Sequence, residues 1–393
     1  MSRLFSPAAL LPALLASLIL WAGAALAYDT PARSAFVLDH NTGTVLLAKN
    51  ADAPLPPASM SKLMTIYLAL EAIKTGRLSL EETLPVSSHA MSYGGSTMFL
   101  DTTDRVKVDD LLKGIIVLSG NDASAVIAEA LSPDGSEAGF ARMMTQRAKD
   151  LGMTNSHFAN SNGWPDPAQY MSARDLGILA NHLITDFPDF YPYFAIKEYD
   201  FDGRAPANVH NRNPLLALGG GADGLKTGHT SEAGYGLVGS AERDGRRVIF
   251  VLTGMDSEAQ RREEAAAILD WSFRGFASKT LAQAGETIGT ADVWLGRRRS
   301  VDLVVDKPLV ALMPYPVPDK LDAEIRYDGP VQAPIAKGQV LGELVVPLGA
   351  QMEPLVVPLV AAADVPKAGF VSKLAISARK LLAKVGLPLQ GAT

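Results

Sequence analysis

The stretch Pro57-Ala58-Ser59-Met60-Ser61-Lys62-Leu63-Met64-Thr65 leads into a run, Met60 to Lys74, in which Met60, Leu63, Met64, Tyr67, Leu68 and Ile73 recur at helical spacing. The spacing predicts a helix that starts at the serine. Residues three apart on a helix share a face, so Ser59 and Lys62 become neighbours. A serine hydroxyl is a weak nucleophile and needs a base. Lysine serves as that base if its pKa falls from about 10.4 toward neutrality, a shift of roughly 3 units that corresponds to about 4 kcal/mol favouring the neutral amine. Burial and a second cation nearby both push in that direction, and the helix N-terminus adds positive potential near the reacting oxygen. The spacing alone decides little, because Ser377-Ala378-Arg379-Lys380 repeats it in the C-terminal tail, inside a basic amphipathic stretch that implies no pocket.

Working outward, Ser34–Asp39 and Thr44–Ala48 read as two strands around the turn Asn41-Thr42-Gly43. Val108–Leu118 and Ala123–Leu131 read as two helices flanking Ser119-Gly120-Asn121. Gly234–Ser240 and Arg247–Thr253 read as paired strands around Arg243-Asp244-Gly245, with a helix over Glu258–Phe276. Strands at both ends with helices between them predict an α+β domain, an antiparallel sheet covered by helices. Beyond it the texture changes to short β-rich runs, Ser300–Val305, Leu309–Leu312, Ala323–Tyr327, Gln339–Val346 and Pro354–Val360, punctuated by Gly and Pro. These predict a small all-β module, built as a sandwich.

The two ends read differently. Arg3 is the only charge before Asp29, an apolar run spans Ala8–Trp21, and Ala25-Leu26-Ala27 follows. That is the pattern of a secretory signal peptide cut after Ala27, with an uncleaved membrane anchor as the alternative. Residues 365–393 hold five basic residues (Lys367, Lys373, Arg379, Lys380, Lys384) and no acidic one; removing these and Arg3 from the net charge of -6 leaves residues 28–364 at -12. Within Pro366–Val385, Phe370, Val371, Leu374, Ala378, Leu381, Leu382 and Val385 fall on one stripe. A basic amphipathic helix at a chain end reads as an interfacial membrane anchor, or else as a terminal helix docked on the acidic body. The expected organisation is 1–27 signal peptide, 28–275 α+β domain, 276–360 all-β domain and 361–393 basic amphipathic tail.

Composition bounds the chemistry. At 393 residues, 48% hydrophobic and 20% charged, the chain is long and apolar enough for two folded domains, and disorder is excluded. A negative net charge gives no reason to expect nucleic acid as a partner. With no cysteine there is no disulfide, thiol nucleophile or Cys-based zinc site. The six histidines (40, 89, 157, 182, 210, 229) show no metal-ligand spacing such as H-E-x-x-H, which argues against a zinc peptidase; no metal or cofactor is expected.

Two further short motifs complete the pattern. A serine and an amide on the tight loop Ser119-Gly120-Asn121 can shuttle a proton and hold a substrate amide, although Gly and Asn between two helices are also ordinary turn residues. Lys226-Thr227-Gly228, followed by His229, precedes the Gly234 strand in extended context; there a lysine can bind a carboxylate and the glycine admits close backbone approach. Lys74-Thr75-Gly76 has the same residues, but it closes a helix, where a terminal Lys and a following Gly are good capping.

The ordered triple carries more than any member: Ser-x-x-Lys on a helix, Ser-x-Asn 60 residues later and Lys-Thr-Gly 107 residues after that. With Pro57–Thr65, Ser119-Gly120-Asn121-Asp122-Ala123, Gly224-Leu225-Lys226-Thr227-Gly228-His229-Thr230 and the segments Asn160–Trp164 and Met171–Asp175, the chain resembles the low-molecular-mass penicillin-binding serine D-alanyl-D-alanine carboxypeptidases over about residues 34–275. The β module and tail match that family's domain order more loosely. The resemblance implies the penicillin-binding/β-lactamase-like fold and an acyl-enzyme on Ser59 formed at the penultimate D-Ala of a peptidoglycan stem. It implies Lys62 as general base, Ser119 as proton carrier to the leaving amine and Asn121 as holder of the substrate amide. Lys226 and Thr227 would bind the terminal carboxylate, with Gly228 beside it and Arg212 in support. Backbone N–H groups of Ser59 and His229 would form the oxyanion hole, whose loss typically costs about 2.7–4 kcal/mol. The partners implied are stem peptides ending in D-Ala-D-Ala, β-lactam antibiotics and, through the tail, the outer face of the inner membrane in the periplasm. This tail departs from the aromatic-rich anchors of the family in having only Phe370 as an aromatic.

Three other functions share parts of this pattern. A muropeptide endopeptidase would use the same chemistry on crosslinks, but its relatives usually lack the β module. A class A β-lactamase would need a deacylating glutamate in a Glu-x-x-Leu-Asn-like setting between Ser119 and Lys226, and the sequence has none. A non-enzymatic peptidoglycan-binding protein would not need every catalytic side chain to be present.

Overall fold

The structure, a computed structural model, describes residues 28–369 apart from 205–206, 318–319 and 350–351. The first domain is organised on five antiparallel strands: β1 (Ser34–Asp39), β2 (Val45–Lys49), β3 (Ala222–Thr230), β4 (Gly234–Arg243) and β5 (Arg246–Met255), in the order β2-β1-β5-β4-β3. Successive side chains on a strand face opposite sides, and here both faces are buried. Phe36, Leu225, Val238, Ile249 and Val251 join one core; Ala35, Val37, Leu237, Val248, Phe250 and Leu252 join the other. The first core packs on helices α1 (Lys62–Lys74), α2 (Asn121–Leu131), α3 (Glu137–Asp150) and α4 (Ala173–Asp186). The second packs on α5 (Glu258–Arg274), through Ala265, Ile268 and Leu269. The α+β reading of the sequence holds.

Several local expectations shift, each for a physical reason. The helix expected from Ser59 begins with a tighter 3-10 turn, Ala58–Ser61, before α1. Residues Lys62 to Leu70 are all buried, so α1 is a central helix enclosed on every side rather than one with a single apolar stripe. Burying side chains such as Leu63, Met64 and Ile66 stabilises the fold by about 1.5–3 kcal/mol each. The helix expected over Val108–Leu118 stops at Lys113 and widens into a π turn, Gly114–Leu118, which ends in Ser119 with left-handed backbone (φ 62°). The last helix of the domain ends at Arg274, and Phe276 already starts a strand. Lys74-Thr75-Gly76 does cap α1, with Thr75 and Gly76 N–H groups donating to Glu71 and Ile73 carbonyls.

The β module contains β6 (Phe276–Ala282), β7 (Thr287–Trp294), β8 (Ser300–Val304), β9 (Leu309–Pro314), β10 (Glu324–Tyr327), β11 (Val331–Gln332), β12 (Val340–Val346) and β13 (Leu355–Ala361). A six-stranded sheet, β10-β12-β13-β8-β7-β11, and the pair β9-β6 share one core. The module runs past residue 360: Val365 is fully buried, Ile335 and Val365 exchange backbone hydrogen bonds, and the Ala368 N–H donates to Leu295. The module therefore includes residues up to Ala368, where the sequence reading began the tail at 361, and Pro366–Gly369 are not helical. The amphipathic stripe from Phe370 onward, the Ser377–Lys380 repeat and the expected signal peptide lie outside the described residues. The module leans on the first domain through Leu312 and Met352, which pack into the α5 core. Arg174, at the start of α4, also binds Asp52 and Glu353. Among the described residues no helix is long and apolar enough to cross a membrane.

Candidate active site

Ser59 sits on the 3-10 turn, just after Ala58, whose φ of 48° is costly for a residue with a Cβ. The loop Ser161–Gly163 is packed against this turn. Gly163 has φ +82°, and a Cβ built there would lie 1.9 Å from the Ala58 carbonyl oxygen. The Thr65 hydroxyl, one turn along α1, donates to the Ser161 carbonyl at 2.6 Å and ties the loop to the helix.

The turn places Lys62 under Ser59. Lys62 Nζ is 2.8 Å from Ser59 Oγ, 2.7 Å from Asn121 Oδ1 and 2.5 Å from the Asn162 carbonyl oxygen. The Asn121 amide nitrogen donates to the Gly94 carbonyl at 2.8 Å, which fixes its oxygen toward the lysine. Lys62 is completely buried. Burial pushes its pKa well below the usual lysine range; Arg212 pushes the same way, while Asp122 and Glu137 oppose. A neutral amine has two N–H groups and one lone pair. Asn121 Oδ1 and Asn162 O accept the two N–H groups, which leaves the lone pair for the Ser59 hydroxyl.

Ser119 faces the same cleft from the other side. The Gly120 N–H closes the π turn on the Gly114 carbonyl, and the Asn121 N–H donates to Ser96 O at 2.7 Å. Lys226, inside β3, donates to Ser119 Oγ at 2.9 Å and to Thr227 O at 3.1 Å. It too is buried, and burial, then Lys62, Arg212 and Arg261, hold its pKa well below the usual lysine range. Gly228 lets β3 lie against the nucleophile's turn: a Cβ there would come 3.0 Å from the Pro57 carbonyl oxygen. His229 is exposed, its ring stacked on Tyr235 at 3.9 Å between centroids.

Ser59, Ser119, Thr227, Gly228 and His229 line one cleft of about 330 Å³. Every residue singled out in the three motifs, Ser59, Lys62, Ser119, Asn121, Lys226, Thr227, Gly228 and His229, is thus brought to one place. Arg212 also reaches the cleft, where its guanidinium donates to Ser96 Oγ at 2.9 Å and to the Leu118 carbonyl at 2.6 Å, bracing the residue before Ser119. The sequence reading missed Arg261, a buried cation on α5 that lines the cleft, pairs with Glu258 at 3.0 Å and lies 5.7 Å from the Tyr235 ring centroid. It also missed Asn162, which acts through its backbone carbonyl, and Glu137, the first residue of α3. No short motif marks these positions; only the quoted resemblance of Asn160–Trp164 hinted at the loop.

A helix-borne serine with a buried lysine, a second serine on an irregular loop and a Lys-Thr-Gly edge strand define a serine acyl-transfer enzyme of the penicillin-recognising class. Family comparisons agree: the family described as D-alanyl-D-alanine carboxypeptidase, peptidase S11, matches residues 22–257, and the penicillin-binding protein 5 C-terminal domain matches residues 276–367. The chain belongs to the S11 D-alanyl-D-alanine carboxypeptidases and is a serine peptidase. It is 35% identical over 350 residues to D-alanyl-D-alanine carboxypeptidase DacF of Bacillus subtilis, covering 87% of this chain and 88% of the relative. The structure of penicillin-binding protein 5 from Haemophilus influenzae matches with a TM-score of 0.73 at 33% identity, over 87% of this chain and 99% of that one. Penicillin-binding protein D2 from Listeria monocytogenes, solved in its ampicillin-bound form, matches with a TM-score of 0.57 at 31% identity, over 63% of this chain and 99% of that one.

Proposed function

We propose that Ser59 attacks the penultimate D-Ala carbonyl of a peptidoglycan stem pentapeptide, with neutral Lys62 taking the hydroxyl proton. The observation that carries this reading is the hydrogen-bond count at Lys62, where two fixed acceptors leave only the Ser59 hydroxyl for the amine's lone pair. The carbonyl carbon gains the Ser59 Oγ bond and loses the terminal D-Ala nitrogen, and the proton passes to that nitrogen through Ser119. Water then cleaves the ester and regenerates the serine. Lys226, the Thr227 hydroxyl and the Arg261 guanidinium form the carboxylate-binding end of the cleft, where a substrate carboxylate favours the charged form of Lys226. The backbone N–H groups of Ser59 and His229 stabilise the oxyanion; the first turn of a helix leaves its N–H groups without intrahelical acceptors. β-Lactams acylate the same serine.

The chain ends fit an exported enzyme: residues 1–27 as a signal peptide cut after Ala27, and the basic stripe beyond residue 369 as a peripheral membrane anchor on the periplasmic side. Incubating the enzyme with a stem pentapeptide tests the reaction. Free D-Ala should appear with wild type and not with Ser59→Ala. Cleavage of crosslinked dimers alone would make the protein an endopeptidase instead.

A further inference from the structure

Glu137 begins α3, behind the loop that presents Asn162 to Lys62, and its side chain is 8% exposed. Its Oε1 accepts the Ser161 N–H at 2.9 Å and the Ser161 hydroxyl at 2.5 Å; its Oε2 accepts the Tyr93 hydroxyl and His89 Nε2, both at 2.7 Å. Four donors converge on one carboxylate at a helix N-terminus, where negative charge is favoured. Burial works against the charged form, but the bonds from Ser161, His89 and Tyr93 outweigh it and hold the carboxyl below its usual range.

Two of these donor residues, Ser161 and Tyr93, lead to the site. Ser161 precedes Asn162, whose carbonyl takes the Lys62 amine. Tyr93 precedes Gly94, whose carbonyl takes the Asn121 amide. Tyr93 also packs edge-on against Trp164, at the far end of the same loop. We infer that Glu137 is a positioning residue for acylation: one buried carboxylate fixes the two backbone carbonyls, Asn162 O and Gly94 O, that hold Lys62 against Ser59 and turn the Asn121 oxygen to Lys62. Glu137 does not enter the cleft and touches no reacting atom. The inference rests on the roles proposed above for Ser59 and Lys62.

Glutamine keeps an oxygen for Ser161 and removes the charge; alanine removes both. The charges around Lys62 are Arg212, which favours the neutral amine, and Asp122 and Glu137, which favour the charged one, with Lys226 as the facing titratable group. The rate of acylation by a labelled penicillin, measured against pH, separates the two contributions. In Glu137→Gln the plateau rate should stay within about threefold of wild type, while the acid limb moves to lower pH because a negative charge has left the lysine's surroundings. In Glu137→Ala the plateau rate should fall at least tenfold, the scale of loss expected when a base is displaced by a fraction of an ångström to an ångström. An unmoved acid limb in Glu137→Gln overturns the inference, and so does a wild-type plateau in Glu137→Ala. If the alanine variant does not fold, the limb of the glutamine variant decides alone. Wild-type enzyme that is not labelled at Ser59 would instead overturn the reading of Ser59 and Lys62, whatever the Glu137 variants do.

Discussion

Lys62 shows how burial turns a common residue into a base. Taken from water into a site with no solvent contact, an ammonium loses its hydration, and the nearby Arg212 cation deepens that penalty. The base form is the neutral one, so acylation should hold steady above the folded-state pKa and decline as pH falls through it. Because that pKa lies well below the ordinary lysine value of about 10.4, a pH–rate profile should show its acid limb far on the acid side of it. A limb near the ordinary value would mean that the lysine is solvated and charged. Arg261 belongs to the same scale: a buried guanidinium paired with an exposed glutamate retains positive field for an incoming carboxylate. Arg261→Ala should lower kcat/KM for a carboxylate-ended substrate by about tenfold to a hundredfold, the range that a lost charged hydrogen bond of about 1.5–3 kcal/mol implies. Unchanged kcat/KM on a pentapeptide would remove it from the substrate site.

At the scale of elements, the site is made where regular structure breaks. Ser59 sits on a 3-10 turn before α1, Ser119 follows a π turn, and Asn162 lies on a loop held by a left-handed glycine. Gly163→Ala should be among the most damaging single changes: the added methyl meets the Ala58 carbonyl and the φ is unsuited to alanine. Overpacking of this kind costs about 1–3 kcal/mol, and here the displaced atoms carry the nucleophile, so acylation should drop more than the melting temperature alone would suggest. A variant acylated at the wild-type rate would show that the loop does not set the turn. These breaks also mark where sequence reading ran out. Periodicity found α1, the β4–β5 hairpin and most β-module strands because their patterns are local; β3 was read only as extended context before the Gly234 strand. It ran the Val108–Leu118 helix straight through Gly114, since nothing in that apolar run signals a π turn. The motif residues were legible because residue type and spacing in three short runs mark them. Asn162 was not, because it contributes a carbonyl that every residue has, and Glu137 was not, because its importance lies in partners distant in sequence.

For the whole molecule, every cleft residue from Ser59 to Arg261 comes from the first domain, while the β module meets that domain at Leu312, Met352 and the Glu353–Arg174 pair. Arg174 and Glu353 are both partly exposed, and such a pair contributes about 0–1 kcal/mol. Among the described residues, the module is thus set beside the catalytic domain without reaching into its site. Removing residues 370–393 should leave Ser59 acylation unchanged and abolish cosedimentation with anionic lipid vesicles. Sedimentation that persists would rule out the basic stripe as the anchor. The β module runs past residue 360, where the sequence reading had ended it, because Val365 and Ala368 are buried.

The most direct measurement is mass spectrometry of the intact enzyme and its peptides after incubation with a penicillin. One adduct, carried on the peptide that contains Ser59 and absent from Ser59→Ala, is the predicted result. An adduct on another residue, or one that survives in Ser59→Ala, would contradict a mechanism built on this serine and its buried amine.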